Sequence, residues 1–166
     1  MMESTLNDGP SLGSTGSART TAAGAPTLAP TSLEHPGAFV AAAGLVFDEV
    51  GGSLVRGHID LGPEHHTPWG VVHGGVYTTA VESAASVGAT AAVRDRGMVA
   101  VGITNTTHFL RSLTSGRVQV EAIALNRGRT QQLWRVDVAD GSGKLVAHGE
   151  LRLQNVIAAA PTTPEG

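Results

Sequence analysis

The chain has 166 residues, no cysteine, and a formal net charge of −3. These values exclude disulfides, a thiolate nucleophile and a cysteine-ligated zinc site, and they give no general attraction to nucleic acid or to an anionic membrane surface. With 41% hydrophobic residues, the length suits one domain with a real core and is short for two. The lack of cysteine fits a reducing cytoplasm, which is the expected location.

Residues 1–36 are mostly Ser, Thr, Gly, Ala and Pro, with very few large apolar side chains. Such a segment cannot bury enough surface to offset its ordering entropy, and it reads as a disordered tail. It lacks the basic start and apolar run of a secretory signal. No later stretch is long and apolar enough to span a bilayer. From residue 39 the pattern turns strand-like: residues 39–50 and 53–61 flank Gly51-Gly52, a hairpin signal. Residues 62–68 form a looser lead into a helical segment.

The stretch WGVVHGGVYTTAVESAASVGATAAV, residues 69–93, has no parallel elsewhere in the chain. It opens on Trp69-Gly70, turns through His73-Gly74-Gly75, and continues as a helix of Ala, Ser, Thr and Val. Val76, Ala80, Ala84, Val87 and Ala91 share one face, and Thr79, Glu82, Ser86 and Ala89 another. A helix that is small on all sides suits close wrapping by a sheet. The glycine pair at its start leaves backbone N–H groups open to a ligand oxygen, such as a carbonyl gaining negative charge. Glu82 is the exception on this helix, with no charged neighbour between Glu64 and Arg94. It is either a solvent-facing glutamate or a functional carboxylate; an ionised carboxylate out of water costs several kcal/mol unless it is paired or hydrogen-bonded.

After a turn at residues 94–97 come four strand-like segments, 98–110, 117–126, 130–138 and 144–156, separated by short gaps. Short gaps favour antiparallel neighbours, so the second half reads as a meander. Val118, Val120, Ala122 and Ala124 alternate with Gln119, Glu121, Ile123 and Leu125, while His148, Glu150 and Arg152 share the polar face of the last segment. The expected fold is therefore α+β: one curved antiparallel sheet wrapped around a long central helix, in a domain at 37–157. Residues 158–166 read as a second loose end.

Other signals carry less. Glu64, His65, His66 and His73 can be sketched as a metal site, but adjacent histidines in such a loop point apart, and no metal is expected. Arg127-Gly128-Arg129 is either a solvated hairpin tip or an anion site. Trp69, Tyr77 and Trp134 belong either to the core or to an acyl pocket.

The order of elements, the Val-Val-His-Gly-Gly turn opening the helix and Glu82 in its second to third turn resemble the hotdog-fold acyl-CoA thioesterases. The likeness runs from about residue 38 to 156 and includes MVAVGITNTTHFLRSLTSGRVQVEA at 98–122. It is nearest to the branch that holds the phenylacetate-pathway thioesterases and the Arthrobacter-type 4-hydroxybenzoyl-CoA thioesterase. The resemblance implies hydrolysis of an acyl-CoA thioester, with coenzyme A entering as part of the substrate and no separate cofactor. It implies that the Gly74 N–H polarises the thioester carbonyl while His73 shapes the turn. Glu82 attacks the carbonyl or activates a water, and Ser86 positions the water or the carboxylate. Thr67, Trp69, Gly75 and Asn105 would meet substrate, and Arg111 with the turn bearing Arg129 and Thr130 would lie near the coenzyme A phosphates. Two departures bear on substrate choice. Thr67 stands where the Arthrobacter-type enzyme has glutamine, and Ser112 stands where a proline is usual.

On this reading one acid lies beside the amide-rich start of a glycine-led helix. A single sheet on one helix leaves edge strands and a helix flank uncovered, so a homodimer is expected, assembling to a homotetramer. Pairing as in the similar enzymes would let residues of both chains build each active site, with the nucleotide-binding arginines and Glu82 from different subunits. The alternatives are a noncatalytic acyl-CoA binder or regulator, and an acyl-CoA hydratase, whose Asp and His pair is not found here.

Overall fold

A computed structural model describes residues 37–158; the tail readings at 1–36 and 159–166 lie outside the described residues. The elements in order are α1 (Ala38–Ala42), β1 (Leu45–Val50), β2 (Leu54–Leu61), α2 (Gly74–Ala91), β3 (Met98–Phe109), β4 (Gly116–Arg127), β5 (Gln131–Asp140) and β6 (Leu145–Ile157), with short 3-10 turns at Pro63–His65 and Arg94–Arg96. Six strands form one sheet in the order β1-β2-β4-β5-β6-β3, and every neighbouring pair is antiparallel. No helix among the described residues is long and apolar enough to cross a membrane.

Two sequence expectations change. The segment 39–50 is not one strand: its alanine-rich start forms the short helix α1, and Gly44, at φ 75°, ends it before β1 begins. The second half is also only partly a meander. Strands β4, β5 and β6 follow in order, but β3 lies at the far edge beside β6, and β4 pairs with β2. The gap between β3 and β4 is short, yet six extended residues reach about 20 Å, against about 14 Å for three strand spacings. The crossing is held by Val72 N–H donating to Leu113 O at 2.8 Å and by the His66 ring against Thr114 O at 2.6 Å.

Helix α2 lies on the inner face of the sheet. Val76, Tyr77, Ala80, Val81, Ala84, Ala85, Gly88 and Ala89 are its buried residues, and they meet Val55, Ile59, Val118, Val120, Trp134, Val136, Leu151 and Leu153 of the strands. Trp134 is fully buried and belongs to the core. The outer face carries paired charges, among them Arg56 with Glu49 and Glu121, and Arg117 with Asp60.

The two ends of α2 have different company. At its N-terminus, Phe109 at the end of β3 packs on Gly74. At its C-terminus, Ala92 meets Gly52 of the β1–β2 turn, and Gln132 at the start of β5 donates to Ala89 O.

Candidate active site

The lead into α2 is a tight loop. Both the N–H and the hydroxyl of Thr67 donate to Val71 O, at 2.7 and 3.1 Å, and Gly70 N–H donates to Thr67 O at 3.0 Å. The Thr67 hydroxyl is thereby committed to closing this loop, and Trp69 stands at its tip, 84% exposed. His73 is the helix N-cap: its Nδ1 accepts from Gly75 N–H at 2.8 Å, which requires that nitrogen to be unprotonated. The two glycines of the motif serve different purposes. A Cβ on Gly75 would stand 2.8 Å from His73 Nδ1, and one on Gly74 would stand 2.8 Å from the Phe109 ring. Gly75 N–H is occupied by the cap and Val76 N–H donates to His73 O. Gly74 N–H has no partner among the described residues, and it is the donor the turn leaves open.

Beside this turn is a cleft of about 580 Å³, walled by Val72, Tyr77, Phe109 and Leu110, with the 73–75 turn and Arg111-Ser112 at its rim. The Tyr77 and Phe109 rings lie 6.4 Å apart and tilted. Tyr77 is buried, its hydroxyl has no partner among the described residues, and burial pushes the phenol above its usual pKa. The Arg111 guanidinium sits 3.2 Å from Asp140. The Asp140 carboxyl is held below the usual range first by the Ser142 hydroxyl, then by backbone N–H groups, with Arg111 adding to them.

Glu82 is half-buried on a different face of α2. Thr78, Glu82, Ser86 and Thr90 follow at four-residue spacing, so they form one polar stripe. The stripe runs along β3: the Asn105 amide lies 3.4 Å from Thr78 O and donates to Glu82 Oε2 at 3.0 Å, and Ala100 N–H donates to the Thr90 hydroxyl at 3.2 Å. Thr107 completes the hold by donating its hydroxyl to Asn105 Oδ1 at 2.7 Å. The other carboxylate oxygen rests against Gly102, where any Cβ would collide with it. Ser86 is half-buried and forms no side-chain hydrogen bond among the described residues.

Gly102 and Asn105 both face Glu82 although they lie three residues apart, which a regular strand forbids. A β-bulge explains it: the β3–β6 register slips between Gly102 and Thr104, leaving Ile103 as the extra residue. From there on Asn105, Thr107 and Phe109 turn toward the helix. A glycine inside a strand is the usual sign of a close approach or bulge, and Gly102 is the one sequence signal of it here.

Comparison with known proteins identifies the family. The profile of the Thioesterase superfamily matches residues 70–147. Rv1847 of Mycobacterium tuberculosis is 42% identical over 130 residues, 77% of this chain and 91% of the relative. Its solved structure superposes with a TM-score of 0.70 at 44% identity, covering 74% of this chain and 98% of that one. The chain belongs to the thioesterase superfamily. Proofreading thioesterase EntH of Klebsiella pneumoniae is 29% identical over 119 residues, 71% of this chain and 85% of the relative. A 1,4-dihydroxy-2-naphthoyl-CoA hydrolase of Listeria monocytogenes is 30% identical over 102 residues, 61% of this chain and 80% of the relative. The fold is the hotdog fold, and the protein is a thioester hydrolase.

Within one copy of this thioesterase the candidate residues do not all converge. Gly74 and Glu82 are eight residues apart on one helix, which is about 12 Å of rise. A donor must come within about 3 Å of the carbonyl oxygen, while an acid reaches the carbonyl carbon directly or through one water. Within a single chain the acid therefore lies about two turns along the helix from the Gly74 N–H and on another face, not beside it. The arginines are likewise split. Arg111 borders the cleft at the N-terminal end of α2, while Arg129 and Thr130 sit on the β4–β5 turn at the opposite end. Arg127 donates to Gly52 O at 3.2 Å. His65 and His66 have separate partners, Gly62 N–H and Thr114 O, and no group of three or more His, Asp or Glu gathers to hold a metal among the described residues.

Proposed function

We propose that this thioesterase hydrolyses an aromatic or short-to-medium acyl-CoA to the free acid and coenzyme A, using Glu82 of one copy and the Gly74 N–H of a second. The observation that carries the reading is the setting of Glu82. It is the lone carboxylate of its helix, held by Asn105 and Gly102 beside a sheet edge that no other strand pairs with among the described residues. The mostly apolar cleft beside Gly74 suits an aromatic acyl group. So does the likeness to the dihydroxynaphthoyl-CoA hydrolase and to the Arthrobacter-type and phenylacetate-pathway branch.

The two sheet edges differ in a way that favours assembly through β3. β1 is short, bears Asp48 and Glu49, and is broken by a register shift, three devices that block pairing. β3 has twelve residues with no Asp, Glu, Lys or Arg, and it exposes Val101 and Ile103 by half. Antiparallel pairing of two β3 strands about a two-fold axis reverses one copy relative to the other. The cleft end of one α2 then faces toward Glu82 and the Arg129 turn of its neighbour. This composite unit, a homodimer acting in the cytoplasm and stacking to a homotetramer, unites groups that one chain keeps apart.

In the base route Glu82 takes a proton from water as the water oxygen bonds to the carbonyl carbon. The Gly74 N–H stabilises the oxyanion, the C–S bond breaks, and the thiolate receives the proton. In the nucleophilic route Glu82 itself forms the bond, and water then opens the anhydride. A single turnover in ¹⁸O-water that leaves label in the Glu82 side chain establishes the nucleophilic route, with water opening the anhydride at the Glu82 carbonyl. Trapping of the anhydride by hydroxylamine covers opening at the acyl carbonyl. A thiol-release screen over aromatic, short-chain and long-chain acyl-CoAs tests the whole reading. Glu82→Gln should lower turnover about 10²–10⁴-fold with the fold intact; unchanged turnover in that variant would remove Glu82 from the mechanism.

A further inference from the structure

The β4–β5 turn is held from inside by one side chain. Asn155 on β6 is 5% exposed, and its amide donates to Gly128 O and Arg129 O, both at 3.1 Å, while its backbone N–H donates to Thr130 O at 2.8 Å. Three consecutive carbonyls thus gather on one residue. Gln132, 1% exposed, secures that residue: its amide donates to Asn155 Oδ1 at 2.8 Å and to Ala89 O of α2 at 2.9 Å. The Gln132 carbonyl accepts from the Trp134 indole at 3.1 Å. Among these groups each amide hydrogen of Asn155 and Gln132 has an acceptor, so the network fixes both side chains.

The outward face of the turn is set by peptide geometry. In a trans peptide the C=O and the next N–H point in opposite directions. With Gly128 O and Arg129 O turned inward, the N–H groups of Arg129 and Thr130 point outward, side by side. Neither has a partner among the described residues, and neither does the Arg129 guanidinium. Adjacent outward N–H groups with a cation make a phosphate-binding concavity. Arg94 and Arg96 add positive charge at the same end of α2.

We propose that Asn155, anchored by Gln132, is a positioning residue that presents the Arg129 and Thr130 N–H groups and the Arg129 side chain to a phosphate on the nucleotide end of the substrate. This rests on the acyl-CoA reading of the site. The turn is thereby set before substrate arrives, and loss of Asn155 should weaken capture of the nucleotide without touching the chemistry.

The test compares benzoyl-CoA with the benzoyl thioester of N-acetylcysteamine, which has no nucleotide. Asn155→Ala should raise KM for the coenzyme A ester about tenfold with kcat nearly unchanged, and leave both constants for the short ester as in the wild type. Equal losses on the two esters, or a fall in kcat alone, would overturn the proposal and make Asn155 a structural residue only. Arg129→Ala separates the layers. If it raises KM for the coenzyme A ester and Asn155→Ala does not, the positioning role fails while the nucleotide site stands. If wild type cleaves neither ester, the acyl-CoA reading fails first, and the proposal with it. A measurement without any variant guards against loss of folding: titration of the wild type with adenosine 3′,5′-bisphosphate should shift the Arg129 and Thr130 amide resonances, and unmoved resonances would overturn the proposal.

Discussion

The Glu82 carboxylate is placed by groups that have no charge. One oxygen takes the Asn105 amide and the other lies against Gly102, so among the described residues the acid is oriented with no cation paired to it. A lysine or arginine in place of Asn105 would stabilise the same carboxylate but make it a poorer base. Gly102→Ala tests the arrangement directly. The added methyl has no room while Glu82 keeps its place, so turnover should fall at least about tenfold, while circular dichroism shows the sheet and helix retained. Full activity in this variant would show that the orientation seen here is not the working one. Tyr77 gives a second test. Its hydroxyl is buried without a partner among the described residues, and an unmade hydrogen bond of that kind costs about 1–3 kcal/mol. Tyr77→Phe should leave thermal stability equal or raised; a clear drop in the unfolding midpoint would reveal a partner for the hydroxyl in the assembled protein.

Among the elements, α2 and β3 share the work, and they were unequally legible in the sequence. The helix announced itself through His73-Gly74-Gly75 and a run of small residues, and the structure adds the reasons: a histidine cap over one glycine, a phenylalanine ring over the other, and Trp134 against Gly88 farther along. The sequence marks 98–110 only as strand-like. The bulge at Ile103 depends on pairing with β6, a contact between residues about fifty positions apart, and beyond Gly102 no local pattern encodes it. For the same reason the placement of β3 at the far edge could not be deduced from gap length. The resemblance places Asn105 at the substrate, and in the structure its amide donates to Glu82 Oε2. The uncharged β3 edge yields an expectation at this scale. The double substitution Val101→Lys and Ile103→Lys should produce a monomer by sedimentation and abolish thioester cleavage together with the assembly. A fully active monomer would show that β3 is not the pairing surface.

For the molecule as a whole, the residues that the family resemblance assigns to one reaction lie at three places along a helix about 27 Å long: Gly74, His73 and Arg111 at its start, Glu82 at its middle, Arg129 and Thr130 beyond its end. Sequence order conceals this, because Gly74 and Glu82 are near neighbours in the chain and still two helical turns apart. On the proposed reading one chain carries the two halves apart, and a two-fold pairing would bring them together as two whole sites. That account is tested most directly by mixing two inactive variants, Glu82→Gln and Gly74→Val, under conditions in which subunits exchange. If each site takes its acid from one copy and its N–H from the other, every mixed dimer has one intact site, and thioesterase activity should return to roughly a quarter of wild type on random pairing. A mixture that exchanges subunits and remains as inactive as its parents would contradict the shared site.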